Sequence, residues 1–245
     1  MVQLSKRLQA LADMVSSGRR VADVGCDHGF VSIYLVQKGI SPKVYAMDVR
    51  KGPLDRAKEH IAAYRLEEQI ETRLSDGLTA MQPGEADALV CAGMGGPLMI
   101  KILTEGAEVT SKMKELILQP QSEIEEFRRF LRTAQWSIVE EKMILEEGKF
   151  YPMMKVHKLK EDEAAQNQRQ PLDVSLEVWQ RLENKFGPLL LEAKDETLKQ
   201  YLEFQLHICV EILEHLKEGS SDKIESKRAE VLAEMEDIRL AMKYM

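Results

Sequence analysis

The stretch VADVGCDHG, residues 21–29, decides how the rest of the chain is read. Its first four residues, apolar except for Asp23, make a strand candidate. Gly25 and Gly29 then interrupt the pattern before an apolar segment with helical spacing begins. A strand, a glycine turn and a helix in that order place a ligand at the carboxyl edge of a parallel sheet. Two carboxylates, Asp23 and Asp27, crowd this one turn. Like charges repel, and a loop packed against a sheet end is a costly place for charge. The crowding therefore points to a ligand that is positively charged at that end.

Working outward, the same alternation recurs. Strands are predicted at 20–24, 43–47, 70–74, 86–91 and 115–119, and helices at 29–39, 53–65, 97–104 and 122–134. Ser122 with Glu125 three residues on predicts a capping box. Before the first strand, Leu4, Leu8, Leu11 and Val15 fall on one helical face, and Gly18 is the expected stop. After residue 135 the pattern changes: WSIVEEKMIL, the turn EEGK and FYPMMKVHKL predict a β-hairpin. Repeated βαβ units predict a parallel sheet. The expectation is an α/β, Rossmann-like domain of seven strands over residues 1–160.

Residues 161–245 read differently. The polar segment 161–170 is a predicted linker, and Pro171 ends it. A helix follows over about 172–186, ending near Gly187 and Pro188. Leu198, Leu202, Leu206, Cys209, Leu213 and Leu216 mark a second helix, and Ile224, Arg228, Val231, Met235, Ile238 and Met242 a third. Their alternating spacings of four and three are heptad seams. EGSSD, with Gly219 as a stop and Ser221 or Asp222 as an N-cap, joins them as an antiparallel pair. A small all-α, coiled-coil-like domain is expected, serving as a structural hairpin or a substrate-recognition arm.

The net charge of −7 is unevenly shared. Residues 1–160 hold 23 Lys+Arg against 22 Asp+Glu, and residues 161–245 hold 11 against 19. Acidity thus argues against a nucleic-acid partner only for the C-terminal third. No apolar run approaches the ~20 residues that span a bilayer, so no membrane partner is expected. Cys26, Cys91 and Cys209 are odd in number and widely spaced. That pattern predicts neither a disulfide framework nor a metal site, and it fits a cytoplasmic protein.

The spacing Asp23-x-Gly25-x-x-x-Gly29 departs from the dinucleotide fingerprint G-x-G-x-x-G. Asp23 and Asp27 would repel a pyrophosphate but attract a ligand carrying an ammonium and a sulfonium, which are the charges of S-adenosylmethionine. Asp48 ends the second strand 23 residues after Gly25, close to the place of an acid that grips a ribose diol. Asp76, after the third strand, can accept from an adenine amino group, and Gly77 leaves room beside the ring.

Five motifs, DVGCDHGFVSIYL (23–35), YAMDVRKGPLDRA (45–57), LSDGL (74–78), CAGMGG (91–96) and LQPQ (118–121), resemble class I S-adenosylmethionine-dependent methyltransferases. More narrowly, they resemble the bacterial tRNA (adenine-N1)-methyltransferases that act at tRNA position 22, which also carry a helical C-terminal appendage. Members of that family tend to have Ser and Ala where this chain has Cys26 and Gly29. The resemblance implies a cofactor site of Asp23, Gly25, Cys26, Asp27 and Gly29, then Asp48 and Val49, then Asp76 and Gly77, and finally Gly93 and Met94. It implies tRNA as partner, and a monomer or weak homodimer through the helical domain. CAGMGG lacks the Asp/Asn-Pro-Pro-aromatic stretch of exocyclic-amine methylation, and Cys91 lacks the preceding proline of cytosine-C5 chemistry. Adenine N1 has its own in-plane lone pair, so positioning does most of the work. Asp27, then His28, are the candidates to stabilise the cationic ring and take its proton. Two alternatives stay open: a methyltransferase for a small molecule or protein, and a non-catalytic S-adenosylmethionine-binding module. The basic residues expected to meet phosphate are Lys6, Arg7, Arg19, Arg20, Arg128, Arg129, Arg132, Lys155, His157, Lys158 and Lys160.

Overall fold

Five short runs rich in Val, Ile, Leu and Ala form parallel strands β1 (Val21–Val24), β2 (Val44–Asp48), β3 (Ile70–Leu74), β4 (Ala88–Met94) and β5 (Glu115–Pro120). A hairpin of β6 (Trp136–Glu146) and β7 (Lys149–Lys158) completes one seven-stranded sheet. The order is β3-β2-β1-β4-β5-β7-β6, with β7 antiparallel to both neighbours. At the hairpin turn Glu147 and Gly148 both hold positive φ, 50° and 74°. Such a turn matches the right-handed twist of the strands it joins. The structure, a computed structural model, describes residues 1–159, 173–216 and 222–245. The linker read at 161–170, Pro171, Lys160 and the turn residues Gly219 and Ser221 lie outside the described residues.

Both sheet faces are covered. Leu11 of α1 (Lys6–Ala12), Ile33 and Leu35 of α2 (Phe30–Gln37), and Ala57 and Ile61 of α3 (Lys51–Ala63) pack on Val21, Val44, Ile70 and Ile117. On the other face Met99 of α4 (Gly96–Glu105), Val109 of α5 (Ala107–Thr110), and Phe127 and Leu131 of α6 (Ile124–Thr133) pack on Ala22, Leu89, Leu116 and Leu118. Strand side chains alternate faces, so each strand feeds both cores. Each fully buried aliphatic side chain contributes roughly 1.5–3 kcal/mol.

Local expectations fail where long-range contacts win. The first helix stops at Ala12, well before Gly18. Gly18 instead donates its N–H to the Ile40 carbonyl at 2.8 Å. Ser122 and Glu125 form no capping box: Glu123 is the N-cap of α6, at φ 44°, without a side-chain cap. The chain turns there so that the Ser122 carbonyl can accept the Gly96 N–H at 3.0 Å, tying the β4 and β5 loops together. The fourth strand runs on through Cys91 to Met94, past a bulge between Ala92 and Met94. Neither α5 nor α8 (Pro188–Glu192) was expected, being too short for periodicity to register.

Three basic residues leave the list of phosphate contacts. The Arg20 Nε donates to Asp87 at 2.9 Å. The Arg128 Nε donates to Glu141 at 3.0 Å, with side chains 2% and 0% exposed. Lys155 donates to the Met14 carbonyl at 3.0 Å and Ser16 Oγ at 2.8 Å, beside buried Glu115.

The chain separates into two compact units, Met1–Gln168 and Arg169–Met245. Within the second, α7 (Leu176–Phe186) and α8 precede α9 (Glu196–His215) and α10 (Asp222–Tyr244). Asp195 caps α9, accepting from Thr197 and Leu198 N–H at 2.9 and 2.8 Å. Leu198, Leu202 and Cys209 of α9 are buried, as are Val231, Met235 and Ile238 of α10. Arg228 donates to the Leu216 carbonyl at 2.7 Å, which sets the start of α10 against the end of α9.

Removing one member of a buried ion pair leaves an uncompensated charge. Arg128→Met is expected to lower the unfolding free energy by about 3–5 kcal/mol in urea titrations. Adding Glu141→Leu should recover most of that loss, because an apolar pair carries no stranded charge.

Candidate functional site

The strand order reverses about β1 and β4: β2 and β3 lie to one side, β5 to the other. At such a switch point the two loops part and open a crevice at the carboxyl edge of the sheet. The loop 25–29 follows β1, and Gly95 follows β4.

Two carboxylates form the crevice floor. Parallel register pairs Asp23 with Ala46, so Asp48, two residues further along β2, faces the same side. Asp23 is 4% exposed and Asp48 6%. Asp23 Oδ2 accepts the Ser32 hydroxyl at 2.5 Å, which ties β1 to the first turn of α2. Burial pushes the Asp23 carboxyl up to about 6, hydrogen bonds from Ser32 pull the other way, and the Asp48 charge raises it further. Asp48 Oδ1 accepts the Arg50 N–H at 2.8 Å. Its Oδ2 has no hydrogen-bond partner among the described residues.

The loop above is held in a left-handed path. Gly25, Asp27 and Gly29 have φ of 76°, 48° and 74°. For a residue with a side chain that conformation costs about 1–2 kcal/mol. Space also demands the two glycines: a Cβ on Gly25 would overlap the Met94 methyl, and one on Gly29 would lie 3.1 Å from Ala57 Cβ. Thus Gly25 seats the β4 loop and Gly29 seats α3. Gly25 and Cys26 N–H both donate to the Met47 carbonyl, at 2.8 and 2.9 Å. Asp27 points outward, its Oδ2 3.5 Å from His28 Nε2. His28 and Phe30 stack at 5.8 Å, and Phe30 and His60 at 4.6 Å.

The remaining candidates line the same edge. Val49 and Leu74 are exposed apolar residues, each 59% exposed, at the ends of β2 and β3. Asp76 is exposed, with Lys101 Nζ at 3.9 Å. Gly77 is buried beside Ile102. Gly93 and Met94 belong to the β4 bulge, where the Met94 carbonyl accepts the Gln121 N–H at 2.9 Å. Two of the resembling motifs, CAGMGG and LQPQ, therefore hold each other. Burial pushes the Cys91 thiol up to about 12, helped by the Asp23 charge, and raises Cys26 likewise. Neither supplies a thiolate nucleophile. Among the described residues no cluster of His, Cys, Asp and Glu is arranged to hold a metal, and no helix is long and apolar enough to cross a membrane.

Sequence reasoning missed Ser32, Ser75 and His60. Ser75 Oγ donates to the Gly77 carbonyl at 2.9 Å and accepts the Ala80 N–H at 3.1 Å, shaping the β3 turn. The signal for Ser32 was available: a buried strand-end acid needs a donor, and the next helical turn holds a hydroxyl.

A family model described as a methyltransferase domain matches residues 4–154. The chain belongs to this methyltransferase-domain family. This methyltransferase-domain chain is 34% identical over 153 residues to the Bacillus subtilis tRNA (adenine(22)-N(1))-methyltransferase. That alignment covers 62% of this chain and 64%, slightly less than two thirds, of the relative's length. The crystal structure of the B. subtilis M1A22 tRNA methyltransferase TrmK matches with a TM-score of 0.82 and 28% identity, covering 98% of this chain and 99% of that one. A Streptococcus pneumoniae protein solved in complex with S-adenosyl-L-methionine matches with a TM-score of 0.81 and 28% identity, covering 98% and 99%.

The Asp23 carboxyl gives a pH prediction. Its folded value, about 6, lies above the ordinary 3.8, so the folded protein holds this proton more tightly than the unfolded chain does. Ionised Asp23 therefore costs stability above about pH 6, and the cost disappears below about pH 4. The magnitude is ~3 kcal/mol. In ligand-free protein, the stability of Asp23→Asn relative to the unsubstituted chain should improve by about that much between pH 4 and 7. Urea titrations across that range measure it, and a flat difference contradicts a desolvated carboxyl.

Proposed function

We propose that the protein transfers a methyl group from S-adenosylmethionine to N1 of an adenine in tRNA, at position 22. One observation carries the reading: two buried carboxylates, Asp23 and Asp48, share the crevice of a methyltransferase-family sheet. Their mutual repulsion and desolvation favour a cationic ligand. Support comes from the B. subtilis relative, named for that reaction, and from the S. pneumoniae structure that holds the cofactor.

When bound, S-adenosylmethionine supplies a methyl group already activated by its sulfonium. Asp23 and Asp27 provide negative potential toward the charged end of the cofactor. Asp48 Oδ2 accepts from the ribose diol, and Val49 and Leu74 offer apolar contact to the adenine ring. Asp76 accepts from its amino group. Cys26, Gly29, Gly77, Gly93 and Met94 complete the walls.

The substrate base lies on the Asp27–His28 side. Adenine N1 would attack the methyl carbon with its own lone pair, while the carbon–sulfur bonding pair returns to sulfur and leaves a neutral thioether. No side chain is therefore needed to create the nucleophile. The ring becomes cationic, and Asp27 stabilises it through the amino group and takes the proton. His28, 3.5 Å from Asp27, is placed to share that proton. The catalytic part spans residues 1–160, and residues 161–245 form the accessory helical domain. The working compartment is the cytoplasm, where tRNA is found. Of the cations read from the sequence, exposed Lys6, Arg129, Arg132 and Lys158 are offered to phosphate, and exposed Arg50 and Lys51 beside the crevice join them.

Two measurements test this. Asp48→Ala should leave the circular dichroism unchanged and weaken S-adenosylmethionine binding by about 1.5–3 kcal/mol in calorimetry. Unchanged affinity would mean the cofactor sits elsewhere. Incubation with labelled S-adenosylmethionine and unmodified tRNA, followed by nucleoside analysis, should put label in 1-methyladenosine. Label in another nucleoside overturns the assignment to N1, and no label in RNA overturns tRNA as substrate.

A further inference from the structure

The His28 carbonyl stands just outside the hydrogen-bond ladder of α2. The first carbonyl that ladder uses is that of Gly29, which accepts the Ile33 N–H at 3.0 Å. His60, on α3, fills the gap: its Nδ1 lies 2.9 Å from the His28 carbonyl oxygen. A carbonyl only accepts, so Nδ1 carries the hydrogen and donates it. In the neutral ring Nε2 then bears the lone pair.

The same imidazole also supports the His28 side chain. His60 stacks on Phe30 with centroids 4.6 Å apart and planes within 19°. Phe30 in turn stacks on His28 at 5.8 Å and 13°. His28 and His60 are themselves 5.8 Å apart. One turn earlier on α3, Ala57 seats Gly29. Leu54, Ala57 and Ile61 anchor α3 in the core, so His60 projects from a fixed support. It makes no hydrogen bond to Asp27 among the described residues.

We propose that His60 is a positioning residue for methyl transfer. Through its Nδ1–H it fixes the His28–Gly29 peptide, and through its stack with Phe30 it supports the His28 ring, and so it aims the neighbouring carboxylate and imidazole at the substrate base. This rests on the reading of Asp27 and His28 as the groups that meet the adenine.

The test compares His60→Ala, His60→Asn and His60→Phe with the unsubstituted chain. The readouts are kcat on tRNA, the dissociation constant for S-adenosylmethionine, and the melting temperature. His60→Ala should lower kcat about 10- to 100-fold, as loss of an orienting partner does. Cofactor affinity should stay within about threefold, because Asp48 and Asp76 come from other strands. His60→Asn returns an N–H close to the position of Nδ1 and should recover most of kcat. His60→Phe keeps the ring but has no donor, and should not.

Unchanged kcat in His60→Ala overturns the proposal. So does a loss of kcat matched by equal losses of affinity and melting temperature that His60→Asn fails to rescue, since that describes a purely structural role. Asp27→Asn separates this proposal from the reading beneath it. If Asp27→Asn loses activity while His60→Ala does not, only the role of His60 fails. If Asp27→Asn keeps full kcat, the catalytic reading of the loop fails and this proposal with it.

Discussion

Two carboxylates that face the same way at the ends of neighbouring parallel strands constrain most of what surrounds them. Asp23 and Asp48 are nearly solvent-free, and burial together with the Asp48 charge raises the cost of ionising Asp23. The nearby structure answers that cost. Helix α2 begins where it can present Ser32 to Asp23, and β2 ends where the Arg50 amide can turn back to Asp48. The loop between β1 and α2 then has only a few residues to join those two positions. It does so by entering the left-handed region at Gly25, Asp27 and Gly29. A site held under electrostatic and conformational strain, braced by α3 and the β4 loop, is the arrangement expected where a charged ligand binds.

The bracing is mutual. Met94 fills the space beside Gly25, the Met94 carbonyl accepts from Gln121, and the Ser122 carbonyl accepts from Gly96. Each loop of the crevice is thus fixed by the next, across sequence separations that no local pattern registers. Gln119 shows the same reach: fully buried, it accepts from Arg7 at 2.6 Å, linking α1 to the end of β5.

Charge behaves in the same way. Arg128, Lys155 and Arg20 count as surface cations in composition, yet they are partnered by Glu141, by Ser16 with Glu115, and by Asp87. In the helical unit burial pushes the Asp237 carboxyl up, but hydrogen bonds from Arg181 and Lys185 outweigh it and hold the group below the usual carboxylate range. These cations are therefore committed to the fold and are not offered to phosphate through their charge alone.

The sequence by itself determined the layered α/β architecture, the closing hairpin and the heptad helices. Each is encoded by periodicity within a single element, as in Val21–Val24 or the seam of Leu198, Leu202 and Cys209. It also marked Asp23, Gly25, Asp27, Gly29 and Asp48, because turn glycines and strand-end acids are local signals. Only the tertiary structure decided what those residues do for one another. The glycines are demanded by Met94 and Ala57, Ser32 and His60 enter the site from helices, and the expected cap at Ser122 yields to a contact with Gly96. The physical reason is that hydrogen bonds and packing between distant segments depend on strand register and helix seating, and those exist only once the whole sheet has assembled.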